Sequence, residues 1–157
     1  MTLKVRRVVT AHDADGKAVV LSDETMSNIK KLRSGNFNSL QWMTDESPAD
    51  LSRNEDPSLR DIDIEPPESG SIFRLLELVP GKKAYMHRTE TIDYAIVMSG
   101  ECDMLLDDSE VHLEAGDVLI QRATWHGWAN RSNKPCQIAF ILLGAHPVES
   151  HLHGVGP

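Results

Sequence analysis

Between Gly81 and Gly100 the chain reads Gly-Lys-Lys-Ala-Tyr85-Met-His87-Arg-Thr89-Glu-Thr-Ile-Asp93-Tyr-Ala-Ile-Val-Met-Ser-Gly. Two glycines bracket a histidine, a threonine and an aspartate, and the apolar run that follows stops at Ser99-Gly100, a turn. Successive side chains of a strand point to opposite faces. His87 and Thr89 therefore share a face with Tyr85. Asp93, Ala95 and Val97 share one face of the next run, and Tyr94, Ile96 and Met98 share the other. A strand that carries a carboxylate among apolar residues on one side and only apolar residues on the other needs cover on both.

The neighbouring sequence repeats the pattern. Ile72 to Val79 ends at Pro80-Gly81, Glu101 to Leu106 at Asp107-Asp108-Ser109, Val111 to Leu113 at Ala115-Gly116, and Gln137 to Leu143 at Gly144, with Val118 to Gln121 between them. Short strand-forming runs separated by glycine turns predict an all-β barrel or sandwich over residues 71–145. Upstream, Val5–Val9 and Ala18–Leu21 flank Asp13-Ala14-Asp15-Gly16, which predicts a hairpin. Residues 45–68 hold nine carboxylates against Arg53 and Arg60, and Pro48 to Gly70 holds four prolines. That segment reads as a long acidic excursion, covering something, with at most a helical turn near Pro48 or Pro57. Residues 1–70 are thus an extension on the barrel, and residues 146–157, with His146, His151 and His153, a flexible tail.

Gly81, five residues, His87, then Asp93, six residues, Gly100 makes one motif; Gly116, His126 and Asn130 make a second. Together they resemble the paired motifs of the cupin superfamily. The resemblance implies a jelly-roll β-barrel. The stretch from His87 to Tyr94 and the Trp42-Met43-Thr44-Asp45 sequence are similar to a cupin subgroup with such an N-terminal extension. Strand parity places His126, Trp128 and Asn130 on one face, so a closed barrel can gather His87, Asp93 and His126 from separate strands. Two imidazoles and a carboxylate are the ligand set of a facial triad for Fe, Mn or Zn.

The chain also departs from the motifs. Thr89 stands where the family has a second histidine, and Asp93 where it has the longer glutamate. Arg122-Ala123-Thr124 replaces Pro-x-Gly, and His126 comes one residue early. A divalent metal and a metal-free site are therefore both left open. The substrate-facing candidates are Tyr85, Thr89, Arg122, Trp128 and Asn130, with Arg122 as a clamp for an anionic group. His112 faces solvent, and Cys102 and Cys136 share the parity of apolar neighbours, as buried, inert thiols do.

A net charge of −8 opposes a nucleic-acid partner, because no excess of Lys and Arg is present to neutralise phosphates. No apolar run is long enough to cross a membrane, and Met1–Arg7 carries no apolar leader, so the expected location is cytoplasmic. Three functions fit: a metal-dependent oxygenase, decarboxylase or lyase on a small oxygenated or carboxylate substrate; a metal-free isomerase or cyclase with His87, Asp93 and His126 as acid–base groups; and a barrel that only holds a small ligand. The resemblance implies a homodimer, with the extension free to pair across it.

Overall fold

The computed structural model describes residues 1–148, so the tail histidines His151 and His153 lie outside the described residues. The fold is all-β, as expected, with one 3₁₀ turn at Pro57–Leu59. The strands are β1 (Arg6–His12), β2 (Ala18–Thr25), β3 (Ile29–Lys31), β4 (Phe37–Thr44), β5 (Ser71–Leu78), β6 (Thr91–Ser99), β7 (Glu101–Leu105), β8 (Glu110–Glu114), β9 (Val118–Arg122), β10 (Gly127–Ala129) and β11 (Cys136–Gly144). Pairing is antiparallel throughout. A six-stranded sheet in the order β3-β4-β5-β11-β6-β9 carries most of the barrel, a three-stranded sheet β10-β7-β8 the rest, and β1-β2 form the separate hairpin.

Alternation builds the core. Ile72 and Leu78 from β5, Ala95 and Val97 from β6, Cys102 and Met104 from β7, Leu113 from β8, and Cys136, Ile138, Phe140 and Leu142 from β11 form a single buried cluster. Both cysteines are free and buried, as their parity predicted. Each fully buried aliphatic or aromatic side chain of this set contributes roughly 1.5–3 kcal/mol. On β6 the expected split holds: Asp93, Ala95 and Val97 are buried, while Tyr94, Ile96 and Met98 are exposed.

The extension does more than rest on the barrel. Strand β4 hydrogen-bonds along the free edge of β5, from Phe37↔Glu77 to Thr44↔Ser71, and contributes Leu40 and Met43 to the core. This pairing lies within the chain. Leu3 packs with Leu75 and Ala139 on the opposite face of the same sheet. Glu77, fully buried there, accepts hydrogen bonds from Thr2 N and Oγ1 (3.0 and 2.7 Å) and from Gln137 Nε2 (3.1 Å). A buried carboxylate is tolerated because these donors replace water.

The acidic segment lies across one end of the barrel. Asp56 pairs with Arg7, whose guanidinium also bonds the Gln41 carbonyl and stands over the Trp42 ring at 5.9 Å. Thr44 Oγ1 and Ser71 Oγ are 2.7 Å apart, and Asp45 receives Arg60 Nη1 at 2.8 Å. The Trp42–Asp45 sequence is therefore a fastening for this segment. Ile62 packs against the core cluster, and Glu65 Oε1 accepts from Glu90 N at 2.9 Å. A Cβ on Gly144 would overlap the Glu68 carbonyl oxygen, so glycine is required where the segment crosses the end of β11.

Candidate active site

His87 and His126 pair backbone to backbone. His87 N donates to His126 O at 2.8 Å, and His126 N donates to His87 O at 2.9 Å. The two strand fragments come this close because Gly127 has no side chain; a Cβ there would meet Met86 Sδ at 2.8 Å and the Tyr85 carbonyl oxygen at 3.2 Å. The imidazole centroids end 4.6 Å apart with planes tilted by 51°. His126 is buried and His87 half-buried.

Nδ1 of each ring is occupied by the chain. His87 Nδ1 lies 3.2 Å from the Tyr85 carbonyl oxygen. His126 Nδ1 lies 2.9 Å from the Thr124 carbonyl oxygen and 2.7 Å from Gln121 Nε2. The carbonyl accepts from Nδ1–H in one neutral tautomer of His126, and the amide donates to bare Nδ1 in the other. In both, Nε2 has no hydrogen-bond partner among the described residues. The turn that brings Thr124 to this place runs through Ala123 at φ 51°, a left-handed position a side chain occupies only at some cost. Burial, with His87 beside it, lowers the His126 pKa to about 4 against the Thr124 bond, so the ring is neutral at pH 7.

Asp93 is buried on the inward face of β6. Thr91 Oγ1 donates to Asp93 Oδ1 at 2.6 Å, and Thr89 Oγ1 lies 2.7 Å from Thr91 Oγ1. Because the single Thr91 proton goes to Asp93, Thr89 is the donor to Thr91. Burial raises the Asp93 pKa above the usual carboxylate value, opposed by the Thr91 bond and by the charges of Arg74 and His87.

The structure corrects several expected contacts. Arg122 lies on the outer face of β9 and is exposed, because Leu119 and Gln121 take the inward positions. Tyr85 is 74 % exposed and stacks on His87 at 6.0 Å, at the rim rather than inside. Asn130 is buried but spent: its Nδ2 donates to the Leu78 and Lys134 carbonyls and its Oδ1 accepts from Ser132 N and Oγ, so it latches a loop. Thr89 is buried in the hydroxyl relay. Trp128 does face the interior, edge-on to His126 at 6.2 Å and to Phe140 at 5.3 Å.

The proposed ligands do not close into a metal site. Among the described residues, the one group of three or more His, Cys, Asp or Glu with ligand atoms all within 4.8 Å of each other is Glu101, His112 and Glu114, on exposed positions of β7 and β8. His87, Asp93 and His126 fall outside that limit. His112 is solvent-facing, as expected, with Nδ1 2.7 Å from Asp103 Oδ1.

Two residues the sequence reading missed belong to this end of the barrel. Gln121 holds the His126 ring. Arg74 occupies an inward position of β5, between Ile72 and Leu76, with its charge felt at Asp93. The alternation Ile72-Phe-Arg74-Leu-Leu76 could have revealed Arg74; nothing in Val118–Arg122 distinguishes the inward from the outward parity.

Comparison with known proteins agrees with this architecture. The Cupin_2 family model, described as a cupin domain, matches residues 74–142. Phomopsin biosynthesis cluster protein C' of Diaporthe leptostromiformis is 35% identical over 151 residues, covering 91% of this chain and 80% of its own length. The cupin-domain-containing oxidoreductase fogC of Aspergillus ruber is 31% identical over 158 residues (92% of this chain, 75% of that protein). The cupin-domain-containing oxidoreductase srdD of Neurospora crassa is 33% identical over 153 residues (92% and 78%). Among solved structures, an RmlC-like cupin from Shewanella frigidimarina superposes with a TM-score of 0.51 at 14% identity, covering 75% of this chain and 84% of that one.

Proposed function

This chain belongs to the cupin superfamily, and from that premise we propose that it is an oxidoreductase of small-molecule biosynthesis that works at the His87–His126 pair. The oxidoreductase names of relatives 31% and 33% identical over 92% of the chain support the reaction class. The observation that carries the site is the imidazole pair itself: two rings 4.6 Å apart, each with Nδ1 facing a carbonyl of the chain. Side-chain proton transfer of this kind is worth about 10²–10⁴-fold in rate.

Neutral His126 takes a proton at Nε2 from an oxygenated substrate, and the Thr124 carbonyl then holds the remaining Nδ1–H of the imidazolium. His87, half-buried beside it, exchanges its own proton with substrate or solvent. Asp93, fed by Thr91 and Thr89, supplies a negative or neutral wall according to pH. Trp128 and Phe140 give the substrate an apolar surface. No step is assigned to a metal, since the three expected ligands do not converge.

A second copy of the chain is the proposed partner. Tyr94, Ile96 and Met98 of β6 lie beside Val118 and Ile120 of β9 on the outer face, paired as Tyr94↔Ile120 and Ile96↔Val118, and all five are exposed. A contiguous apolar patch of this kind marks an interaction surface.

The functional reading is tested with a small-molecule extract of the source organism from which the gene has been deleted, incubated in air with purified protein, dioxygen being the electron acceptor and oxygen source. The expected result is a product differing from its precursor by two hydrogens or one oxygen, formed at least 100-fold more slowly by His126→Gln. Products of unchanged composition would instead favour the isomerase or cyclase reading, and equal rates for the two proteins would remove His126 from the reaction.

A further inference from the structure

The cation facing the barrel interior is Arg74, not Arg122. Its neighbours on the inward face of β5 are Ile72 and Leu76, and across the ladder it is paired with Phe140 of β11. The Phe140 ring meets Trp128 edge-on at 5.3 Å, and Trp128 meets His126 at 6.2 Å. Arg74 is thus the cross-strand neighbour of Phe140, one end of an aromatic arc that has the imidazole pair at its other end.

The bonding of Arg74 is incomplete. Both of its hydrogen bonds leave from Nη2, to the carbonyl oxygens of Ile64 at 2.9 Å and Asp63 at 3.3 Å. Its Nε is buried and unpartnered. No carboxylate among the described residues lies within ion-pair distance, and Asp93 acts on it only through space. Burial draws its pKa below the ordinary arginine value while Asp93 opposes that shift, and a guanidinium stays charged nonetheless. A half-buried guanidinium with its Nε buried and unpartnered carries a desolvation cost that an anion can offset. The fork of Nε and Nη matches the two oxygens of one carboxylate.

We infer that Arg74 anchors the substrate through a carboxylate carried on a small planar framework that lies along Phe140 and Trp128. This rests on the reading of His87 and His126 as the reacting end of the site and adds the substrate class. The carbonyls of Asp63 and Ile64 aim the guanidinium, so the acidic segment over the barrel end takes part in recognition.

Benzoate and its neutral isostere benzamide are suitable probes, titrated calorimetrically into the full chain and followed by the ¹⁵Nε–¹H resonance of Arg74. Benzoate is expected to bind at least tenfold more tightly than benzamide and to move that resonance. Arg74→Lys, which keeps the charge and loses the fork, should weaken benzoate at least tenfold, and Arg74→Gln should abolish its advantage over benzamide. The wild-type resonance decides the matter even where a variant fails to fold. Absence of benzoate binding at 10 mM (on the order of the weakest carboxylate affinity of interest), equal affinity for the two probes, or an unmoved resonance overturns the inference. Binding needs no turnover, so the anchor can stand or fall separately from the oxidoreductase reading.

Discussion

His126 holds His87 by two backbone hydrogen bonds of 2.8 and 2.9 Å, and its own ring is buried with Nδ1 committed and its pKa lowered to about 4. The unfolded chain binds a proton near pH 6.5, whereas the folded chain resists one until about pH 4. Stability from this group is complete above pH 6.5 and is lost as pH falls toward 4. At about 1.4 kcal/mol per unit the loss is roughly 3 kcal/mol. Urea midpoints measured across this range should fall on acidification, and His126→Gln should flatten the slope between pH 6.5 and 4. An unchanged slope in the variant would show that other groups cause the acid sensitivity.

Asp93 is one methylene short of the glutamate in the motif it resembles, and Thr91 already holds its Oδ1 at 2.6 Å. Asp93→Glu should extend the carboxylate toward the imidazoles and raise Mn²⁺ affinity at least tenfold over wild type, as measured by calorimetry. Equal affinities would mean that reach is not what keeps the three groups apart.

The acidic segment is tied down through Arg7, which is 8 % exposed, and Asp56, whose carboxyl is held at a pKa of about 2 chiefly by that guanidinium. Asp56→Asn leaves Arg7 with Glu24 and the Gln41 carbonyl. The expected cost is about 1–2 kcal/mol, at the low end for a charged hydrogen bond because Asp56 is partly open to solvent. In wild type the contribution of this pair is complete above the unfolded carboxylate pKa near 4 and disappears as pH falls through about 2. Hydrogen exchange should also quicken at Ile62–Glu65 in the variant, and a rate matching wild type would place the fastening elsewhere.

Ile96 is 40 % exposed at the centre of the apolar face shared by β6 and β9. Ile96→Lys is expected to convert a dimer to a monomer in light scattering, with the thermal midpoint of the isolated fold lowered by only a few degrees. A wild-type protein that is monomeric at high micromolar concentration would sink the proposed self-association.

The barrel was legible because its strands are short, apolar on alternate positions and punctuated by glycine, and because His87, Asp93 and His126 fall on inward parities. Strand β4 was not legible. Phe37-Asn-Ser-Leu-Gln-Trp-Met-Thr lacks clean alternation, and a register shift between Leu40 and Trp42 breaks its period. Arg122 was misassigned because β9 places Val118 and Ile120 outward, so hydrophobicity points to the wrong face. The same outward apolar residues form the face proposed above for a second copy of the chain. Asn130 matched a motif position, yet its role is fixed by the Leu78, Ser132 and Lys134 groups it meets, which no spacing rule contains.

Strand β4 also sets where this protein can be cut. The family match begins at Arg74, but a chain trimmed to that point would lose Ser71–Phe73 of β5, bare the Ile141–Leu143 end of β11, and strip what remains of β5 of its neighbour β4, and a cut at Ser71 would still strip β5 of that neighbour. Exposed edges of that kind template intermolecular pairing. Fusion partners and library designs should therefore treat β3 and β4 as barrel wall rather than as dispensable.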